Sequence, residues 1–132
     1  ANLTVTGQPV ATMERVAVTG QPFKEALRLQ TKSRTSQVYG VQLAGSPVAG
    51  VKQGDVLLAT FYVRTVTGQP ESGEASTQFV FERGSDPYTK SVTQDIDIPA
   101  PRLGWKRIDI PFKAVETLQA NEAKISFRLG YN

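Results

Sequence analysis

Apolar and polar residues alternate with a period of two along most of the chain. Val, Ile, Thr, Phe and Tyr supply the apolar positions, and Gly or Pro interrupts each run. That period belongs to half-buried strands. It predicts strands over Asn2–Thr6, Met13–Val18, Ala26–Thr31, Val38–Leu43, Asp55–Val66, Ser76–Arg83, Ser91–Ile98, Trp105–Phe112 and Ala123–Leu129. About nine short strands in one domain make an all-β fold, an antiparallel β-sandwich of jelly-roll type. The best helical segment is Ala114 to Ala120, where Val115 and Leu118 sit three apart, and it supplies two turns at most.

The same period assigns faces. Over Asp55–Thr65, Leu57, Ala59, Phe61 and Val63 share one side, and Leu58, Thr60, Tyr62 and Arg64 the other. The first set is the core side. Phe79 and Phe81, then Ile108, Ile110 and Phe112, then Ile125, Phe127 and Leu129 point inward by the same rule. Gln78, Val80 and Glu82, Arg107 and Asp109, and Lys124, Ser126 and Arg128 point outward. Val-Thr-Gly-Gln-Pro occurs three times, beginning at Val5, Val18 and Val66, at intervals that match no solenoid repeat. Each copy ends a strand: Gly accepts positive φ, while Pro holds the Gln before it extended and removes a ladder donor.

Composition narrows the chemistry. The 132 residues suffice for one domain, expected over 1–132, whose core needs no disulfide or metal staple. No cysteine is present, which excludes thiol nucleophiles and thiolate metal sites, and no histidine, which removes the commonest general base and zinc ligand. The net charge of +3 is dispersed rather than gathered into a block, so nucleic acid is not an expected partner. No apolar run approaches the roughly 18 residues of a membrane span, and no membrane partner is expected. The sequence opens at Ala1 without an initiator methionine, as a processed chain or a piece of a longer one would.

The outward face mixes arginine, amide, carboxylate and an aromatic. A sugar suits that mixture, because its C–H face stacks on a ring while its hydroxyls need donors and acceptors in fixed planes. Tyr62 is the candidate platform, with Arg64 beside it and Gln78 and Arg107 expected on neighbouring strands. Arg128 lies on a further outward face, and Tyr88, in a turn, could line the end of a groove. The plain alternative for each is a solvated face of an antiparallel sandwich. Asp95 and Asp97 stand on one strand face about 7 Å apart, close to a glycosidase spacing. Ile96 and Ile98 account for that alternation by themselves. Polysaccharide lyases use Arg, Gln, Tyr and His together, and His is missing here; no glycine-rich phosphate loop occurs either.

Five segments in order are similar to the β-sandwich carbohydrate-binding modules of families 4, 9, 16 and 22. They are Gln21-Pro22-Phe23 with Ala26-Leu27-Arg28-Leu29; Lys32-Ser33-Arg34-Thr35 with Tyr39-Gly40-Val41; Gly54 to Arg64; Gly104-Trp105 with Pro111-Phe112-Lys113-Ala114; and Ile125 to Gly130. The resemblance implies that Arg34 and Tyr39 join the ligand site, Tyr39 standing where xylan-binding members carry Trp. Alternation instead places Tyr39 in the core with Val41 and Leu43, and the two readings stand side by side. Trp105 resembles a Trp packed at the sheet edge. The resemblance also implies one further strand after Ile125–Leu129, supplied here by Asn2–Thr6, by another segment or not at all. It allows a structural calcium, and no other cofactor is expected.

The function so implied is non-catalytic binding of xylan, β-glucan or an acidic glycan, in a secreted protein, targeting an attached polysaccharide-degrading enzyme. The alternative is a structural or interaction β-sandwich without a glycan ligand. Since no histidine, cysteine or convincing carboxylate pair is available, the isolated domain should release no reducing ends from xylan, β-glucan, pectin or alginate. Release in proportion to protein concentration, abolished by a single substitution, would contradict this.

Overall fold

Strands form where the alternation runs unbroken. The computed structural model describes residues 4–6, 11–31, 42–47, 49–66 and 75–128. In chain order the strands are β1 (Thr4–Thr6), β2 (Ala11–Ala17), β3 (Glu25–Thr31), β4 (Gln42–Gly45), β5 (Val56–Val63), β6 (Ala75–Arg83), β7 (Lys90–Ile98), β8 (Lys106–Lys113) and β9 (Ala123–Arg128). A five-stranded antiparallel sheet takes the order β1, β4, β9, β6, β7, while β2 pairs with β3 and β5 with β8. The turn after β2 uses the second Val-Thr-Gly-Gln-Pro copy as expected: Gly20 has φ +77°, and the Val18 amide donates to the Lys24 carbonyl at 2.9 Å.

The core lies between the five-stranded sheet and the β5–β8 ribbon, as an antiparallel β-sandwich requires. Phe79, Ile96 and Ile110 are buried at its centre, with Ala59, Phe61, Ile108, Phe112, Ile125 and Phe127 against them. Phe61 of β5 stacks on Phe79 of β6 at 5.5 Å between ring centres and meets Phe127 of β9 edge-on at 4.9 Å. A second cluster of Phe81, Leu118 and Ala123 continues the core, joined through Phe112 at 5.2 Å from Phe81. Ala59, Phe61, Phe79, Phe81, Ile108, Ile110, Phe112, Ile125 and Phe127 are side chains that the period of two directs inward. No helix among the described residues is long and apolar enough to cross a membrane.

Two expectations need correction. Ala114 to Ala120 is not helical. Its backbone bonds across to the segment before β5: Val51 and Leu118 exchange amide-to-carbonyl bonds of 2.8 and 2.9 Å, and Ala114 does the same with Gly54 and Asp55. Gly50 permits this approach, since a Cβ there would stand 2.8 Å from the Leu118 carbonyl oxygen. Leu118 is thereby buried, and a long-range bridge replaces a short helix that would bury little.

The outward direction of Val80, Glu82 and Ser126 holds, but their expected exposure does not. Val80 and Ser126 are 0% exposed and Glu82 2%.

Of the segments expected to add a strand to the sheet, Asn2–Thr6 does so over its described residues, Thr4–Thr6, which pair with β4. β9 has β4 on one side and β6 on the other, and β1 pairs with the far side of β4. No described part of β9 therefore lacks a neighbour. β1 and β7 are the edge strands of the five-stranded sheet, and in the other layer β5 and β8 pair only with each other among the described residues.

Phe79, 3% exposed, touches rings from β5, β8 and β9. Phe79→Ala should therefore cost about 3–5 kcal/mol through the cavity it leaves, read as a lowered urea midpoint with an unchanged slope.

Candidate binding face

The outer surface of the five-stranded sheet carries a row of polar side chains in register. Gln42 on β4 stands opposite Arg128 on β9, Arg128 opposite Gln78 on β6, and Gln78 opposite Asp95 on β7. All four lie on the side away from the phenylalanine core, because their strand neighbours Leu43, Phe127, Phe79 and Ile96 are the ones that point inward. Gln78 Nε2 donates to Asp95 Oδ1 at 3.0 Å. This bond fixes the amide plane and leaves the other acceptor and donor positions of the pair for a ligand.

Beside that row sits a compact ion cluster. Arg128 Nη2 donates to Glu82 Oε1 at 3.1 Å, and Lys90 Nζ lies 2.9 Å from Glu82 Oε2. Glu82 is four residues along β6 from Gln78, the register partner of Arg128. The guanidinium reaches Glu82 along the Val80–Ser126 row, and the Arg128 side chain is itself only 12% exposed. Ser126 Oγ, in the middle of the face, has no hydrogen-bond partner among the described residues. A carboxylate this buried is tolerated because two cations face it. Lys90 also donates to the Tyr88 carbonyl at 3.2 Å, tying the β6–β7 hairpin to the cluster. Tyr88 stands exposed on that hairpin with φ +55°.

Tyr62, Arg64 and Arg107 are elsewhere. β5 pairs with β8, so Tyr62 faces Arg107 across that ribbon, on the surface opposite the Gln78 row. The expectation that Gln78 neighbours Tyr62 is therefore wrong: β6 lies between β9 and β7, and the β5–β8 pairing spans the whole β6–β7 hairpin. The Tyr62 ring is half-buried against Phe23 at 5.1 Å, and Phe23 meets Trp105 edge-on at 4.9 Å. This three-ring contact holds the β2–β3 turn onto the ribbon, with Trp105 packed at the ribbon's end. Beside it Arg107 Nε donates to Asp109 Oδ1 at 3.2 Å, and Thr60 Oγ1 donates to the same oxygen at 2.9 Å. The Thr60 hydroxyl, and after it Arg107, hold Asp109 below its ordinary carboxylate pKa; Asp109 in turn raises that of Arg107. Arg64 is exposed just beyond β5. Arg34 and Tyr39 lie outside the described residues.

The sequence-derived set thus divides, with Gln78, Arg128 and Tyr88 associated with one layer and Tyr62, Arg64 and Arg107 with the other. Glu82 and Lys90 were not among the candidates. Alternation places Glu82 outward, where a carboxylate is ordinary, and only the convergence of Arg128 and Lys90 buries it. Asp95 is exposed and is the partner of Gln78. Among the described residues no group of three or more His, Cys, Asp or Glu is placed to hold a metal ion, so no described cluster supplies the calcium site that the resemblance allows.

The chain is similar in fold to a solved CBM4 structure, a carbohydrate-binding module. The TM-score is 0.67 and the sequence identity 12%, over 97% of this chain and 76% of that one. No family model matches the sequence, and no curated protein matches it. At this identity the likeness is one of fold, that of a carbohydrate-binding-module-like β-sandwich.

Glu82 is the one carboxylate that both Arg128 and Lys90 approach. Glu82→Gln should cost about 3 kcal/mol, near the lower end for removing one member of a buried ion pair, because Lys90 is free to turn into water. Chemical denaturation of the variant measures it; a loss below ~0.5 kcal/mol would mean the cluster contributes no more than a surface pair.

Proposed function

We propose that the chain is a non-catalytic polysaccharide-binding module whose binding face is the outer surface of the five-stranded sheet. The observation that carries this reading is the in-register row Gln42, Arg128, Gln78 and Asp95. The Gln78 amide and Asp95 carboxylate, bonded at 3.0 Å on adjacent strands, offer donors and acceptors in a fixed plane to the hydroxyls of a glycan laid across the sheet. The likeness of fold to a CBM4 structure supports the class. In that role the module serves a secreted protein and holds an attached polysaccharide-degrading enzyme on its substrate.

The charges favour an uncharged glycan such as xylan or β-glucan over an acidic one. Arg128, Lys90 and Lys124 share this face with Glu82, Asp95 and Asp97, and the guanidinium of Arg128 is engaged by Glu82. An acidic polysaccharide would meet no net positive field. Tyr88, exposed beside the cluster, is the aromatic surface at the end of the row.

A second reading, an interaction β-sandwich without a glycan ligand, draws on Val56 and Leu58, which are 76% and 61% exposed on β5.

Titration calorimetry with xylan and β-glucan oligosaccharides separates the two. Gln78→Ala should weaken binding roughly tenfold, as loss of one hydrogen bond within a charged pair does. Tyr62→Ala, on the opposite surface, should leave the affinity unchanged while lowering the melting temperature through loss of the Phe23 contact. Absence of binding to every glycan, or a binding loss confined to Tyr62→Ala, would overturn the assignment of this face.

A further inference from the structure

Among the described strands of the five-stranded sheet, Glu82, Asp95 and Asp97 are the carboxylates on the outer surface, and they are held differently. Asp95 and Asp97 are exposed, whereas Glu82 is 2% exposed. Asp95 accepts from the neutral amide of Gln78 at 3.0 Å, and Asp97 stands opposite Ser76 near the end of the β6–β7 pairing. Glu82 instead takes cations. Arg128 Nη2 lies 3.1 Å from its Oε1 and Lys90 Nζ 2.9 Å from its Oε2, and Lys124 is its register partner on β9.

The backbone is shaped for this meeting. Phe81 pairs with Val92, so unbroken register would set Glu82 opposite Ser91; the bulge between Phe81 and Glu82 sets it opposite Lys90 instead. Bulges re-aim side chains in this way and are common beside functional sites. The other cation comes from the row itself. Arg128 has its backbone opposite Gln42 and Gln78 and its guanidinium at Glu82, four residues further along β6. The positive charge of the row is thus met inside the protein.

We propose that Glu82 sets the charge selectivity of this face: as an internal counter-anion it holds Arg128 and Lys90 and keeps the carboxylates of acidic glycans from engaging them. The proposal rests on the reading that the outer surface of the five-stranded sheet binds glycan. Glu82 acts through Arg128 and touches no sugar, so it is a positioning residue. Competition produces the effect. A sugar carboxylate must give up translational and rotational freedom to reach the guanidinium, and it must displace a carboxylate already in place. A glutamine at position 82 would keep the shape and a hydrogen-bond acceptor but carry no charge. Arg128 would then be left with an unmet charge, which is unfavourable at 12% exposure and which a sugar carboxylate would meet.

Titration calorimetry with neutral oligosaccharides of xylan and β-glucan, and with acidic galacturonate oligosaccharides, tests this. The unaltered chain should bind galacturonate about tenfold more weakly than the better of the neutral ligands. Glu82→Gln should strengthen galacturonate binding about tenfold, as a new charged hydrogen bond does, and added salt should remove that gain. Asp97→Asn deletes the same charge from an exposed residue of this face and should change galacturonate binding by less than about twofold. Should Glu82→Gln lose the native circular dichroism, Glu82→Gln combined with Lys90→Gln, which also removes one of the two cations, should show the same gain. Three results would each overturn the role of Glu82: an equal gain in Asp97→Asn, galacturonate bound by the unaltered chain as tightly as a neutral ligand, or neutral-glycan binding with no galacturonate gain in either Glu82 variant. Binding of no glycan by any form would overturn the assignment of the face, and the selectivity with it.

Discussion

The stacking of Phe61 on Phe79, with Phe127 edge-on to Phe61, joins the two layers of the sandwich, and the remaining architecture follows from it. Once these rings meet, the period of two leaves each strand one outward side. Thr60, Tyr62, Arg107 and Asp109 are committed to one surface, and Gln42, Gln78, Asp95 and Arg128 to the opposite one. No rotation of a single strand could bring Tyr62 beside Gln78 without turning Phe61 or Phe79 into water, at about the cost of unburying a large apolar side chain.

The two surfaces differ in what holds them. On the ribbon, Tyr62 serves chiefly to seat Phe23, while Thr60, Arg107 and Asp109 form a short exposed chain of hydrogen bonds. On the five-stranded sheet, charge is neutralised internally. Glu82 draws Arg128 and Lys90 inward, and the Gln78–Asp95 pair next to them has amide and carboxylate groups free for hydroxyls. A sheet face whose charges cancel within itself attracts an acidic polymer little.

Strand positions and core faces were legible in the sequence because both depend on a local, two-residue periodicity. Phe79, Phe81, Ile108, Ile110, Ile125 and Phe127 point inward as that periodicity requires. The turn chemistry of the second Val-Thr-Gly-Gln-Pro copy was equally readable, since a positive φ at Gly20 is a property of that residue. The segment from Ala114 to Ala120 was not, because its backbone partners lie far away in the chain, between Val51 and Asp55, and a weak helical spacing of two apolar residues could not compete with those bonds.

Which strands stand side by side was decided by the tertiary structure alone. Alternation places Tyr62, Arg64, Gln78 and Arg107 on outward faces but carries no information about whether those faces are the same, since pairing partners are chosen by packing across the whole core. The burial of Glu82 has the same origin: the residue is outward and acidic in the sequence, and it becomes buried only when β9 is laid beside β6 and Arg128 reaches over Ser126 to meet it. The sequence by itself determined the period, the inward residues and the turns; the tertiary structure decided which outward residues share a surface, because strand order and register are set by contacts between segments that are far apart in the chain.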